Sequence, residues 1–259
     1  MPKIYDGWFN GQIAKQAQAS VSKAIASGKM QIEVNFPPVP NLDEVRFGTP
    51  LNKKLGKDVV AKNLNIVGGY KAGSNISRNL VAYSNVYWAK QISSSIKKPV
   101  CVLTTEQVTF SDCKSMGDLS RYGTAMSAKS KEESRKNESV ICINPGGEEV
   151  WKRISTAHQQ NNCPLIMLNN AYSTTYDLGN KQNFEEAYFL KRVSKGWVYR
   201  AFPGKWQAYI EKPDGDVELL KTYDTKPPLN EVATYVREES FKRYAMNNDR
   251  YAKGFGGRI

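Results

Sequence analysis

Residues Ser139–Ala171, with the sequence SVICINPGGEEVWKRISTAHQQNNCPLIMLNNA, decide the fold. Apolar runs at 140–143 and 165–168 stand near the two ends, and such short runs are typical of strands buried on both faces of a parallel sheet. Between them, one stripe of side chains recurs at helical spacing: Val150, Trp151, Ile154, Ala157 and His158. The stretch therefore predicts a strand, a helix and a second strand, joined by a right-handed crossover.

The segments before this stretch repeat the pattern. Apolar residues at helical spacing predict helices over Gly11–Ala26 and over 76–96. For the first helix a packing role is favoured over a membrane-surface role, because its apolar face is Ala-rich and too thin to insert strongly. Strands are predicted over Met30–Phe36, where alternation leaves one polar face, and over Val100–Thr104. Together these elements predict an α/β fold, in which a Rossmann-like mixed or parallel sheet is flanked by helices.

The C-terminal part of the chain has the character of antiparallel hairpins. Aromatic and β-branched segments alternate with turn sequences such as Pro213-Asp214-Gly215, which favour tight turns for backbone reasons. Four strands are predicted, over Ala187–Val193, Trp197–Ala201, Trp206–Glu211 and Val217–Thr222. A last helix is predicted over Asn230–Ala245. The sequence thus predicts a C-terminal antiparallel hairpin extension of the sheet.

The chain of 259 residues is long enough for one large α/β domain, and we predict a single domain over residues 1–259. Ser, Lys and Glu dominate residues 110–138, which predicts a flexible excursion from that domain. A flexible C-terminal tail is predicted over residues 246–259.

The charge balance points to an acidic partner. The formal net charge is +12 and the sequence pI is about 9.4, which favours nucleic acid, an anionic membrane surface or an acidic protein face. Lys and Arg are scattered along the sequence, so a dedicated nucleic-acid arm is disfavoured. Mean hydropathy is −0.55, and no apolar run approaches the roughly 20 residues that cross a bilayer. The N-terminus lacks the apolar centre of a secretory signal, so we expect a mature form, a locally made protein or a chain without its presequence.

Cysteine and histidine usage favours neither catalysis nor metal binding. The four cysteines form no CxxC pair and are Cys101, Cys113, Cys142 and Cys163. Three of them fall in or beside predicted buried strands, which predicts reduced thiols in a reducing compartment. The only histidine, His158, lies on the apolar stripe of the central helix, so a core role is favoured over a catalytic one. We therefore predict no catalytic residue, no metal and no cofactor.

Two Gly-rich turns before helices could each hold a phosphate, because helix N-termini bind anions. Neither turn fits GxGxxG or GxxxxGK[ST], and Glu148 and Glu149 would repel a phosphate at the second turn, Pro145–Gly147. The first turn remains the basis of an alternative function, a nucleotide-binding enzyme or accessory domain. Its candidate residues are Gly68, Gly69, Lys71, Gly73 and Ser74.

Aromatic and basic residues come together in the predicted hairpins and in the tail. The hairpin set is Trp197, Tyr199, Phe202, Trp206 and Tyr209 with Arg200 and Lys205. It could stack on bases, but a hairpin that covers the sheet edge is favoured, so RNA binding is the weaker alternative. The tail residues that we expect to become ordered on a partner are Arg250, Lys253, Phe255 and Arg258.

Several short motifs in a fixed order carry a resemblance to a known family. They are Gln16–Ala19, Ala24–Gly28, Ile32–Pro38, Ile143–Gly146, Tyr188–Lys191 and Gly196–Trp206. Their order resembles the plastid and cyanobacterial domain of unknown function numbered nineteen ninety-five, over nearly all of the chain. Members of that family include the Low-PSII-Accumulation assembly factor of chloroplasts.

The resemblance implies a non-enzymatic auxiliary or assembly protein of the photosynthetic apparatus. It implies a location in the chloroplast stroma, peripheral to the thylakoid membrane, with photosystem II subunits as the expected partner. An anionic lipid surface is a further expected partner, and nucleic acid is not expected. The resemblance carries no catalytic residues over to this chain.

Overall fold

The computed structural model describes residues 1–3, 11–38, 75–104, 121–124, 138–145, 148–159, 161–170 and 184–244. Within these residues the helices are α1 (Gly11–Ala26), α2 (Asn75–Ser93), α3 (Glu148–His158) and α4 (Leu229–Tyr244). The strands are β1 (Gln31–Asn35), β2 (Val100–Thr104), β3 (Arg121–Thr124), β4 (Ser139–Ile143), β5 (Leu165–Leu168), β6 (Glu185–Val193), β7 (Gly196–Ala201), β8 (Trp206–Glu211) and β9 (Val217–Tyr223).

All nine strands form one sheet in the order β3-β2-β4-β5-β1-β6-β7-β8-β9. The strands from β3 to β6 pair in parallel. The pairings β6–β7, β7–β8 and β8–β9 are antiparallel. The predicted mixed sheet with a C-terminal hairpin extension is therefore confirmed.

The strand, helix and strand predicted for residues 139–171 are β4, α3 and β5. Every residue of β2, β4 and β5 is buried, as expected for parallel strands covered on both faces. The registers Val102↔Ile141 and Ile141↔Ile166 align β-branched side chains across the three strands. Apolar runs of four or five residues thus suffice to fix the parallel core.

Helices cover both faces of the sheet. On one face α1 and α2 share a core cluster with the side chains of the parallel strands, including Ile32, Val34 and Ile166. On the opposite face Trp151 and Ile154 of α3 pack on β2, β4 and β5. The hairpin strands are covered on this second face by α4, whose buried residues are Val232, Val236 and Ser240. This two-sided layering is the α/β arrangement that the sequence predicts.

Two local features differ from expectation. The predicted excursion over 110–138 missed β3, which pairs in parallel with β2 at the edge of the sheet. An edge strand pairs along one side only, so RYGT needs no apolar run to join it. The polar face of β1 is buried, since Glu33 is 0% exposed and Asn35 is 2% exposed. The amide of Asn35 donates a hydrogen bond to the Glu33 carboxylate, which helps to satisfy these buried groups.

Candidate docking surface

The first helix has a thin apolar side and a lysine-bearing outer side. Its buried positions are Ile13, Ala14, Ala17, Ser20, Val21 and Ala24, and small side chains at this spacing allow close approach to the sheet. Lys15, Ala19 and Lys23 are exposed at intervals of four residues, so they share one outer stripe. Gly28, at φ +79°, ends the helix, since glycine adopts this left-handed conformation at no steric cost. The chain then turns into β1.

The second helix lies beside the first and runs in the same direction. Gln18 Nε2 donates to the main-chain oxygen of Gln91 at 2.7 Å and to Ser94 Oγ at 3.1 Å. One turn further along, Ser22 Oγ donates to the main-chain oxygen of Ser95 at 3.4 Å. Because each helix leads directly into a parallel strand, the C-terminal ends of both helices lie at the same edge of the sheet.

The pair of helices carries basic groups and no acidic ones. We define the α1–α2 layer as residues 11–30 and 75–100, which contain seven Lys and Arg and no Asp or Glu. Lys15, Lys23 and Lys97 are exposed and make no ion pair with a described carboxylate. Lys29 is the exception, since its ammonium lies 3.5 Å from a carboxylate oxygen of Glu185 on β6. Within these two segments, every formally charged side chain is therefore basic.

The hairpins and α4 have the opposite character, because their charges nearly balance. Residues 184–244 contain 11 basic and 10 acidic residues. Many of these charges are paired: Arg243 contacts Glu218 at 2.7 Å and Glu239 at 3.0 Å, and Lys226 contacts Glu186. Of the described parts of the molecule, the α1–α2 layer thus has the strongest excess of positive charge.

A row of tyrosines crosses the sheet next to α1. The ring centroids of Tyr188 and Tyr199 are 5.9 Å apart, and those of Tyr199 and Tyr209 are 6.3 Å apart. The hydroxyls of Tyr188 and Tyr199 both donate to Gln16 Oε1, at 3.2 and 3.0 Å. Burial, with a smaller contribution from Tyr209, raises the pKa of Tyr199 to about 12. The row becomes accessible toward β9, where Leu219 is 46% exposed beside Tyr209.

The aromatic residues proposed for base stacking are mostly inside the protein. Trp197, Tyr199 and Trp206 are 1%, 8% and 3% exposed, so their ring faces are not available to a nucleic acid. Arg200 lies over the ring of Trp206, with its guanidinium carbon 5.4 Å from the ring centroid. Trp197 and Tyr199 pack in the core cluster on the α1 face, and Trp206 packs in the cluster under α4.

His158 has the core role that the sequence favours. Its Nε2 lies 2.8 Å from the main-chain oxygen of Cys163, and Asn161 Nδ2 lies 3.4 Å from its Nδ1. With both ring nitrogens in contact, the imidazole joins the end of α3 to the start of β5. A cleft of about 320 Å³ borders this corner and includes Lys29 and Met30. The Cys163 thiol on its wall is only 1% exposed.

Polar side chains also meet where β1 and β5 end, the edge at which open α/β sheets bind ligands. Asn169 Oδ1 accepts a hydrogen bond from the main-chain nitrogen of Phe36 at 2.9 Å. Asn169 Nδ2 donates to Asn85 Oδ1 at 2.8 Å. These bonds join β1, β5 and α2, so the buried amides stabilise the packing of the three elements at this edge.

The two sets of candidate residues from the sequence lie outside the described residues. They are the tail set Arg250, Lys253, Phe255 and Arg258, and the turn set Gly68, Gly69, Lys71, Gly73 and Ser74. Cys101, Cys142 and Cys163 are buried, as predicted, and Cys113 lies outside the described residues. No group of three or more His, Cys, Asp and Glu side chains in the described ranges could hold a metal ion. Among the described helices, none has the length and apolar character to span a membrane.

Comparison with known proteins places the chain in a family. No curated protein and no solved structure matches it at a significant level. A family model described as a domain of unknown function (DUF1995) matches residues 10–234. The matched range runs from α1 into α4 and bears out the family expected from the order of the motifs, without singling out any member. The chain therefore belongs to the DUF1995 family.

Proposed function

We propose that the protein is a non-enzymatic auxiliary or assembly protein of the photosynthetic apparatus. It docks at the stromal side of a thylakoid complex, photosystem II, and stays peripheral to the membrane. The setting comes from the family resemblance. The physical support is the α1–α2 layer, which presents lysines without any acidic residue.

A surface of one charge sign acts in a specific way. It attracts an acidic partner over about a Debye length, roughly 8 Å at physiological ionic strength, and so raises the rate of association. It also repels partners of like charge, which gives selectivity without a deep pocket. Both effects weaken as salt is added, so docking through the layer is salt-dependent.

The proposal also explains why the layer is built on helices that the sheet holds firmly. Ile13, Ala17 and Val21 anchor α1 on the sheet, and Gln18 and Ser22 join it to α2. The lysines project from helices that are packed on the sheet, so the layer needs no rearrangement to bind a partner. A preformed docking surface suits a protein that associates reversibly.

Affinity isolation of the tagged full chain from gently solubilised thylakoids tests the proposal. Mass spectrometry of the bound proteins should identify photosystem II subunits, at a level that falls when the salt concentration is raised. Nucleic acid is assayed in the same eluate. Recovery of the protein alone, or with RNA, would contradict the proposal.

A further inference from the structure

We infer that the α1–α2 layer docks on an anionic lipid headgroup surface rather than on a protein. This inference rests on the proposed function and narrows it: the protein docks at the stromal side of the complex, but the layer itself contacts anionic headgroups beside the complex and not its protein subunits. Charge complementarity selects an acidic partner, since the exposed Lys15, Lys23 and Lys97 pair with no described carboxylate and residues 11–30 and 75–100 contain no Asp or Glu.

The exposed side chains of the layer favour lipid over protein. The exposed residues of α1 are Gly11, Gln12, Lys15, Ala19, Lys23 and Ala26. Protein interfaces are enriched in Tyr, Trp, Phe, Met and Arg and depleted in Lys, Ser and Ala, and their binding energy is concentrated in buried anchors. No exposed residue of α1 is an anchor of this kind.

The same side chains suit the headgroup region of a bilayer. A lysine ammonium is a compact charge on a flexible stem, which can follow mobile phosphate groups without a fixed bidentate geometry. Direct readout of nucleic acid relies on arginine forks and exposed aromatic rings, and the described exposed side chains of the layer include neither. Adsorption through lysines alone is electrostatic and reversible.

The geometry places these charges on one broad surface. Lys15 and Lys23 share the outer stripe of α1, and the Ser22–Ser95 hydrogen bond brings the C-terminal end of α2, with Lys97, alongside. Met30, at 36% exposure, is the one large apolar side chain exposed on the described layer. The surface therefore lies on headgroups and does not insert into the acyl chains.

Two charge-matched variants of the full chain test the inference. The layer variant carries Lys15→Gln, Lys23→Gln and Lys97→Gln. The opposite-face variant carries Lys152→Gln, Lys221→Gln and Arg237→Gln, which are exposed positions on α3, β9 and α4. Both lose three positive charges, so a general effect of net charge would weaken both equally.

Co-sedimentation with vesicles is the measurement. The wild-type chain should bind phosphatidylcholine vesicles that contain about one-third phosphatidylglycerol, and not vesicles of phosphatidylcholine alone. Each lysine contributes about a fivefold factor near an anionic surface, so the layer variant should bind roughly 100-fold more weakly. The opposite-face variant should stay within about threefold of wild type, since its charges lie more than a Debye length from the bilayer.

Three results would overturn the inference: no binding to anionic vesicles, equal binding to neutral vesicles, or equal losses in the two variants. Absent vesicle binding together with recovery of photosystem II subunits from thylakoids would assign the layer to an acidic protein and leave the proposed function standing. Vesicle binding that depends on the layer, without recovery of any photosystem subunit, would support the lipid inference and contradict the proposed function.

Discussion

The side-chain amide of Gln18 donates a hydrogen bond to the main-chain oxygen of Gln91 over 2.7 Å. The same amide reaches Ser94, so one glutamine joins α1 to the end of α2. These two helices are distant in sequence, and each alone carries only a few lysines. Side by side they form the α1–α2 layer, so the proposed docking surface is a property of the tertiary structure.

Replacing Gln18 with alanine should loosen this junction. A net hydrogen bond contributes about 1 kcal/mol, so Gln18→Ala should lower the free energy of unfolding by about 1 kcal/mol in urea denaturation. Lys15→Ala, at an exposed position of the same helix, is the control and should change it by less than about 0.5 kcal/mol. Equal unfolding free energies for the two variants would show that the Gln18 contact does not stabilise the helix pair.

Gly196 should tolerate no side chain. A Cβ at this position would lie 2.0 Å from the main-chain oxygen of Tyr209 and 2.8 Å from Val236 Cγ1, so β7, β8 and α4 would have to separate. Gly196→Ala should lower the free energy of unfolding by about 3 kcal/mol. Gly11→Ala meets nothing within 4 Å and should be neutral or stabilise α1 by up to about 1 kcal/mol. Similar stabilities for the two variants would contradict this packing.

The tyrosine row predicts a loss of stability in strong alkali. Burial raises the pKa of Tyr199 to about 12 and that of Tyr188 well above its ordinary value. Between pH 10 and 12 these groups ionise in the unfolded chain while they stay protonated in the folded one, so their contribution to stability, complete below pH 10, is lost as the pH rises. Unfolding free energies measured across this range should fall less steeply for Tyr199→Phe than for the wild type. If the unfolding free energies of the two proteins fell equally steeply with pH, the raised pKa of Tyr199 would be contradicted.

The tail carries the sequence prediction of a partner contact. Deletion of Tyr251–Ile259 removes Lys253, Phe255 and Arg258. It should weaken association with the thylakoid complex and leave the thermal midpoint unchanged, because the core clusters of the described residues include nothing beyond Tyr244. Affinity isolation and calorimetry measure the two quantities. Unchanged association would show that the tail does not contribute to docking.

Local patterns predicted most of the described fold. The bounds of Gly11–Ala26, Val100–Thr104 and Trp206–Glu211 agree with the structure because apolar periodicity and strong turn residues mark both ends. β3 was missed because Arg121–Thr124 has no apolar run and is held at the sheet edge by pairing with β2. The burial of Glu33 was also missed, since alternation along β1 does not reveal that both of its faces are covered.

The surface that we propose for docking was harder to predict from the sequence. In sequence the lysines look scattered, and their concentration emerges only when α1 and α2 are placed side by side. A usable signal was present, namely the absence of Asp and Glu from 11–30 and 75–100. The two segments that lack Asp and Glu are far apart in the sequence, and they form one surface only because α1 and α2 are in contact. The hydrogen bonds of Gln18 and Ser22 establish that contact.

Docking through the α1–α2 layer is tested by binding of the layer variant and the opposite-face variant to intact thylakoid membranes. Sedimentation at low and high salt compares both variants with the wild-type chain. We predict that the layer variant loses at least about tenfold in affinity at low salt. The opposite-face variant should bind like the wild type at low salt and, like the wild type, lose binding when salt is added. Equal losses in the two variants, or full binding by the layer variant, would contradict docking through the α1–α2 layer.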